Sequence, residues 1–324
     1  MQYDLPDFLA EVSQAPSLRR LDHIDMNCGL IYTSLPLFSH LLPYSRYAHS
    51  LGVASLAWRF SGEKRIALAG LFHDIATPVF SHVVDFMHGD HENQEYTESR
   101  TETLIRSDEF ILHCLKEQGI TADEVTDYHR YPIADNDSPK LSCDRLEYTL
   151  QNMVRYGLEP EAFQSEVIDD LSVTRNEEGE EELGFEHADT AERFALAAIA
   201  CGRIYSGKED RYAMEKLARL LNRAVRLGIL TEDMLYTEEP EVIRVLEQSE
   251  LCGEWRKYRR LSQVNVSGEE EGEDVFAVNA KKRYIDPFVK GSGRISLLSM
   301  KVKEEITAFL EEDYRVKLKG EFHG

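Results

Sequence analysis

An apolar stretch that ends on a histidine and an aspartate places the strongest constraint on how this chain can fold. Residues 66–72 read IALAGLF, and His73 and Asp74 follow directly. The polar residues 61–65 before this stretch are typical of a helix start, so we predict a buried helix. Pro78 disfavours helix at the preceding residue, so the His-Asp pair should lie on the last turn. Partners must satisfy the pair there, because burying unsatisfied polar groups is costly.

Two further segments with helical spacing carry groups that can complete a site with this pair. His49 lies in RYAHSLGVASLA and Asp144 lies in LSCDRLEYTL. Imidazole nitrogens combined with carboxylate oxygens suit Zn, Mn, Fe or Ni better than Ca. We therefore expect a divalent transition metal, with positions left for water and a phosphate oxygen. The expected ligands are His49, His73, Asp74 and Asp144. For the His-Asp pair taken alone, a structural hydrogen bond is the alternative.

Composition bounds the class of protein and its partners. The chain has 324 residues, 42% hydrophobic and 30% charged, with a formal net charge of −22. Such acidity disfavours nucleic acid and anionic lipid, so a phosphorylated partner should be small and held in a local pocket. No apolar run approaches the roughly 20 residues of a membrane span, and the acidic start lacks the features of a signal peptide. We expect a cytoplasmic protein without a membrane partner, whose five scattered cysteines are reduced.

The residue pattern predicts a mainly α fold. Helical spacing dominates residues 15–260, and we predict a helical domain over residues 1–261 with a short β-hairpin insertion near 171–187. Residues 262–324 combine β-rich segments, an acidic turn and a closing helical pattern. They should form a small α+β C-terminal part, in which residues 295–300 (ISLLSM) are expected to be a strand.

The ordered histidine, His-Asp and aspartate motifs resemble those of the HD superfamily of metal-dependent phosphohydrolases. RYAHSLGVASLA, AGLFHDIATPVFSH, HE at 91–92 and RIYSGK at 203–208 are similar to its deoxynucleoside triphosphate triphosphohydrolase branch. The resemblance covers about residues 15–210. It implies an HD-domain helical bundle that hydrolyses a (deoxy)nucleoside triphosphate to nucleoside and triphosphate. It also implies Mg accompanying the nucleotide and assembly into a homo-oligomer.

The resemblance also suggests roles for single residues. His91 with Glu92 is the implied catalytic acid–base pair, because a carboxylate can orient a histidine that titrates near neutrality. His82 is a further catalytic candidate, although some HD proteins use such extra histidines to hold a second metal ion. Guanidinium forks match phosphate oxygens. The substrate-binding candidates are Arg46, Arg145 and Lys208 for phosphate, and Tyr148 and Tyr205 for the sugar.

Two departures from the motifs of this branch leave the substrate of this chain undetermined. Thr77 stands where a histidine usually follows the HD motif, and Gly207 replaces a histidine in the later motif. One alternative is a nucleotidase or phosphodiesterase that acts on another small phosphorylated metabolite. The other is a nucleotide sensor that keeps the metal and the pocket but lacks catalysis, because Thr77 cannot transfer a proton as histidine does.

Overall fold

A computed structural model describes residues 5–87, 100–268, 272, 274–279 and 281–323. The catalytic candidates His91 and Glu92 lie outside these residues. Within the described part of the chain, the predicted mainly α fold is confirmed. Its α-helices, in chain order, are α1 (Asp7–Val12), α2 (Pro16–Arg19), α3 (Arg46–Ser61), α4 (Lys64–Phe72), α5 (Val83–Met87), α6 (Thr101–Ser107), α7 (Glu109–Glu117), α8 (Cys143–Arg155), α9 (Ala162–Asp170), α10 (Ala188–Tyr205), α11 (Lys208–Arg226), α12 (Glu239–Glu247), α13 (Cys252–Arg259), α14 (Ile295–Leu298) and α15 (Met300–Glu311).

The described strands form two small sheets. Their bounds are β1 (Leu171–Arg175), β2 (Glu181–Phe185), β3 (Leu261–Val266), β4 (Val275–Ala277), β5 (Phe288–Val289), β6 (Gly293–Arg294) and β7 (Lys317–Phe322). The predicted hairpin is the antiparallel pair β1–β2. On its other edge β2 pairs with β5 in parallel, and β5 pairs with β6 in antiparallel orientation. In the other sheet β7 lies between β3 and β4. The C-terminal part of the chain therefore contributes strands to both sheets.

One local prediction for the C-terminal part is wrong. The segment ISLLSM, expected to be a strand, contains α14 and the first residue of α15 instead. Ser299 ends the first helix and begins the second, because its side chain accepts a hydrogen bond from the backbone N–H of Val302. Such an N-cap satisfies a donor that the first helical turn leaves free. The division at residue 261 stays a prediction.

The described residues pack into three hydrophobic clusters that surround the helices carrying the histidines. One cluster joins α1, α4 and α7, a second joins α3, α8, α10 and α15, and a third joins α5, α11, α13 and the sheet β3–β7–β4. α3 and α4 pack closely where Gly70 faces Val53, since a Cβ at Gly70 would lie 3.2 Å from Val53 Cγ1. This contact brings the helices that carry His49 and His73 together.

Candidate metal centre and active site

His49 and His73 face each other with their Nε2 atoms 3.1 Å apart. His49 Nδ1 lies 2.5 Å from Glu147 Oε2, and His73 Nδ1 lies 2.7 Å from the carbonyl oxygen of Gly70. Both partners are acceptors, so a hydrogen on each Nδ1 is satisfied, and each Nε2 presents a lone pair when its ring is neutral. Two lone pairs at this distance repel each other unless a positive charge lies between them.

Two carboxylates complete the group. Asp144 Oδ1 lies 3.0 Å from His49 Nε2 and 3.6 Å from His73 Nε2. Asp74 Oδ2 lies 3.8 Å and 3.6 Å from the same two nitrogens. One ligand atom each from His49, His73 and Asp74 lies within 4.8 Å of the others. Ligand atoms about 2.1 Å from one ion are about 3 Å apart at right angles, so His49, His73 and Asp74 form a group that could hold a divalent cation. Asp144, the fourth predicted ligand, lies beside both nitrogens but outside that group of three.

The charges around these atoms also favour a cation. Burial alone would lower the pKa of His49, but the carboxylates of Glu147 and Asp144 raise it above its ordinary value. Burial alone would raise the pKa of Asp74, but Arg46 and the two histidines hold it well below its usual range. The cluster therefore stabilises positive charge at its centre, which a bound divalent metal provides.

Helix ends position three of the predicted ligands. Ser45 caps α3 by accepting a hydrogen bond from Ala48 N at 3.1 Å, so that His49 follows directly on the first turn. Ser142 caps α8 in the same way, and Asp144 lies on its first turn. α4 ends at Phe72 and His73 is its C-cap, so the pair predicted on the last turn follows directly after the helix. Local sequence signals therefore position these three helix ends.

Glu147 and Thr77 orient two of the predicted ligands. Glu147 is fully buried and also accepts a hydrogen bond from the Tyr44 hydroxyl. Thr77 Oγ1 donates to Asp74 Oδ1 at 3.0 Å, so the residue that replaces the usual histidine supports a carboxylate. No motif predicts Glu147, although a glutamate on the apolar face of α8 is a signal that a buried polar partner is required.

Arg46, a predicted phosphate ligand, contacts the metal-site carboxylate. Its Nη1 donates to Asp74 Oδ2 at 2.9 Å and its Nε donates to Ser81 Oγ at 3.0 Å. Burial opposes the charged guanidinium, but Asp74 raises the pKa of Arg46 above its ordinary value. Arg46 thus lies beside the predicted metal, with its hydrogen bonds directed at protein groups.

The other two predicted phosphate ligands lie further out. Arg145 Nη1 donates to Asn136 Oδ1 at 2.5 Å and to the carbonyl oxygen of Lys140 at 3.0 Å, which ties it to the loop before α8. Lys208 is 42% exposed, and its Nζ lies 3.6 Å from Glu209 Oε1. Neither contact tests a role in substrate binding, and both roles stay predictions.

A wall of aromatic and polar side chains extends from the ligands along α8. Tyr148, Asn152 and Tyr156 recur at four-residue intervals and therefore share one face. The Tyr148 ring lies 6.4 Å from the His49 ring and 6.1 Å from the Tyr205 ring. Asn152 Nδ2 donates to the Tyr205 hydroxyl at 2.9 Å, while its buried Oδ1 accepts no hydrogen bond from the described residues. The two predicted sugar ligands thus lie together beside the metal site.

His82 is held by a buried carboxylate. Its Nδ1 lies 2.9 Å from Oδ2 of Asp85, whose side chain is fully buried. Burial lowers the pKa of His82, and the charges of Arg46 and Arg283 lower it further, while Asp85 acts against them. Burial thus favours the neutral imidazole of His82.

Comparison with known proteins gives a family match at this site. Residues 46–138 match the family model of the HD domain. They include His49 and the pair His73 and Asp74, while Asp144 lies beyond the matched segment. No helix in the described part of the chain has the length and apolar character needed to cross a membrane.

Relatives align over more of the chain. It is 30% identical over 208 residues to YdhJ of Bacillus subtilis (strain 168), an alignment that covers 63% of this chain and 62% of YdhJ. It is 24% identical over 298 residues to the metal-dependent phosphohydrolase cns2 of Cordyceps militaris, covering 87% and 80% of the two chains. A phosphohydrolase structure from Bacteroides thetaiotaomicron VPI-5482 aligns with a TM-score of 0.68 over 99% of this chain and 97% of that chain. Because its sequence identity is 16%, this likeness concerns the fold alone.

Proposed function

This chain belongs to the HD-domain superfamily, and on that basis we propose that it is a metal-dependent phosphohydrolase of a small phosphorylated substrate. The observation that carries the proposal is the arrangement of the Nε2 atoms of His49 and His73, which lie close to each other and to two carboxylates. The Nδ1 atom of each ring is already engaged by an acceptor. A divalent metal held there would polarise a phosphoryl oxygen and lower the pKa of a water molecule. Zn, Mn, Fe and Ni suit this donor set.

Other residues of the chain would orient the ligands and transfer protons. Glu147 and Thr77 keep a histidine and a carboxylate oriented toward the metal position, which limits reorganisation when a substrate binds. His82, neutral and fixed by Asp85, can take a proton from the attacking water. His91 with Glu92 is proposed to protonate the leaving oxygen, on the resemblance alone.

We propose a nucleotide as the substrate. The wall formed by Tyr148, Asn152 and Tyr205 can contact a sugar, and Asn152 Oδ1, to which no described residue donates, can accept a hydrogen bond from a hydroxyl group. The most specific proposal is a (deoxy)nucleoside triphosphate, cleaved by water attack at the α-phosphorus into nucleoside and triphosphate. Arg46, Arg145 and Lys208 would then contact phosphate oxygens. A cytoplasmic homo-oligomer belongs to the same proposal.

A nucleotidase or phosphodiesterase acting on another small metabolite is the second candidate. Arg46 and Arg145 already donate to protein acceptors. A triphosphate would have to compete for these guanidinium groups, whereas one phosphate requires fewer cations. Thr77, bound to Asp74, further separates this site from the triphosphohydrolase pattern.

Product analysis tests the proposal. The Mn²⁺-loaded chain is incubated with each deoxynucleoside triphosphate and with nucleoside monophosphates, and the products are separated by ion exchange. His73→Ala serves as the inactive control. Triphosphate plus nucleoside supports the specific proposal, and orthophosphate from a monophosphate supports the second candidate. Nucleotide binding without any product would contradict an enzyme and support the sensor.

A further inference from the structure

The side chain of Arg20 joins the turn after α4, residues 73–78, to a segment far away in the chain. Arg20 is half-buried and begins a short 3₁₀ helix. Its Nη2 donates to the carbonyl oxygens of Ile75 and Thr77 at 2.9 Å and 2.8 Å. Its Nη1 donates to the carbonyl oxygen of Thr237 at 3.1 Å. One guanidinium group thus holds the turn 73–78 against the segment 235–239.

The turn 73–78 requires such a donor. Among the described residues, no backbone N–H donates to the carbonyl oxygen of Ile75 or to that of Thr77. A buried carbonyl oxygen without a donor is costly, so the contact with Arg20 favours one position of this backbone. Burial lowers the pKa of Arg20 to about 10, which leaves the guanidinium charged near pH 7. Arg20 therefore keeps all its donors under physiological conditions.

The same turn orients the carboxylate of Asp74. Thr77 N donates to the carbonyl oxygen of Asp74 at 2.9 Å, and Thr77 Oγ1 donates to Asp74 Oδ1 at 3.0 Å. The two carbonyl oxygens that Arg20 holds belong to Thr77 itself and to Ile75, the residue after Asp74. A shift of this backbone would therefore move both the carboxylate and its hydrogen-bond donor.

The segment 235–239 is a fixed support for this contact. Val79 N donates to the carbonyl oxygen of Leu235 at 2.8 Å. Phe80 N donates to Oε1 of the buried Glu239 at 3.1 Å. Arg20 adds a link between the same two parts of the chain, on the side of the turn that is nearer to Asp74 in sequence.

We propose that Arg20 is a positioning residue of the active site, which clamps the turn 73–78 and so keeps the Asp74 carboxylate oriented toward the metal. The inference rests on the proposed function, since it requires a divalent metal at Asp74. Arg20 acts through the backbone of the turn and through Thr77. Groups that orient metal ligands typically contribute roughly 10–100-fold to metal affinity. We therefore expect Arg20→Gln to bind Mn²⁺ at least roughly tenfold more weakly than wild type.

Metal affinity of the full-length protein tests this role. Competition with a chelator measures Mn²⁺ binding, and melting temperatures show that each variant is folded. Arg19→Gln is the matched control, because Arg19 is the exposed neighbour of Arg20 and pairs with Asp22 at 3.4 Å. It should bind Mn²⁺ as wild type does. A merely structural role of Arg20 would lower the melting temperature of Arg20→Gln and leave the Mn²⁺ affinity of the folded protein unchanged.

A double-mutant cycle tests the route through the turn. Thr77→Val removes the hydroxyl group that donates to Asp74 and keeps the shape of the side chain. The losses of affinity in Arg20→Gln and Thr77→Val should not add, because both changes loosen the same carboxylate. Glu147→Gln provides the control cycle, since Glu147 contacts His49 instead. Its loss and that of Arg20→Gln should add within about twofold. Additive losses in the first cycle would overturn the route through Thr77.

The outcomes separate the two proposals. Equal Mn²⁺ affinity of wild type and Arg20→Gln would overturn the role of Arg20 and leave the phosphohydrolase proposal standing. Failure of wild type to bind either Mn²⁺ or Zn²⁺ would contradict both. If Arg20→Gln does not fold, Arg20→Lys decides, because lysine keeps the charge but has one donor nitrogen where arginine contacts the two segments with two. Weaker Mn²⁺ binding by folded Arg20→Lys would support the clamp, and wild-type affinity would overturn it.

Discussion

The Nε2 atoms of His49 and His73 lie 3.1 Å apart while the Nδ1 atom of each ring is engaged by an acceptor. In neutral rings both Nε2 atoms are hydrogen-bond acceptors, and neither can donate to the other. A positive charge at these nitrogens, from a proton or a metal ion, therefore stabilises this arrangement. The surrounding carboxylates Asp74 and Asp144 match the oxygen ligands that a divalent metal accepts beside imidazole.

Replacing Asp144 should remove metal and activity together. Asp144→Ala deletes the oxygen that lies 3.0 Å from His49 Nε2, and we expect bound metal to fall at least roughly tenfold. Metal analysis after gel filtration measures this directly. Asp169→Ala is the control, because that carboxylate is exposed and pairs at the surface with Arg59. Unchanged metal content in Asp144→Ala would exclude this residue as a ligand.

Glu147→Gln should weaken metal binding without removing a ligand. The amide keeps the size of the side chain, but it lacks the negative charge that holds the hydrogen on His49 Nδ1. Loss of such a partner typically reduces metal affinity roughly 10–100-fold. Competition with a chelator measures the affinity, and Glu161→Gln, at an exposed position, is the control. Equal affinities in the two variants would show that Glu147 does not tune the site.

Glu239 should make stability depend on pH. Its Oε1 accepts hydrogen bonds from Asp25 N and Phe80 N, both at 3.1 Å, and its Oε2 accepts one from the Tyr32 hydroxyl at 2.7 Å. Burial nevertheless raises the pKa of Glu239 from 4.5 to about 8. Between these values the unfolded chain releases a proton that the folded chain retains. The contribution of Glu239 to the free energy of unfolding is therefore fully present below pH 4.5 and decreases as the pH rises to about 8.

Urea unfolding between about pH 5 and 8 checks this dependence. The difference in free energy of unfolding between wild type and Glu239→Gln should decrease with rising pH, by up to about 1.4 kcal/mol per pH unit. Groups common to both proteins cancel in the difference. Glu241→Gln, an exposed change on the same helix, should give a difference that does not vary with pH. A flat difference for Glu239→Gln would show that Glu239 ionises in the folded protein as it does in the unfolded chain.

Adding one methyl group at Gly202 should destabilise the fold. A Cβ there would lie 2.2 Å from the carbonyl oxygen of Arg283 and 3.2 Å from Phe309, and such overpacking typically costs about 1–3 kcal/mol. Gly253→Ala is the opposite control, because no atom of the described residues lies within 4 Å of its added Cβ and alanine favours the helix. Thermal unfolding should give a lower melting temperature for Gly202→Ala and an equal or higher one for Gly253→Ala. Equal melting of Gly202→Ala and wild type would mean that the C-terminal segment can move away at no cost.

Local sequence rules determined a large part of this protein. The apolar run before His73 and the break at Pro78 act within a few residues, so periodicity and the proline locate them. The serine caps before His49 and Asp144, found in the structure, act over the same short range. The hairpin β1–β2 follows from the same short-range signals. The strand expected at residues 295–300 was wrong because a short apolar segment has no periodicity that separates strand from helix.

Only the tertiary structure decided which distant groups meet. Glu147 became the partner of His49, and Thr77 became a support for Asp74, through the packing of α3, α4 and α8. The chain returns from β4 to cross α10, where the carbonyl oxygen of Arg283 lies against Gly202. No local pattern specifies these contacts, because they join residues far apart in the chain and depend on how whole helices pack. The sequence alone thus predicted the metal ligands, and long-range packing decided the orientation of their side chains and the groups around them.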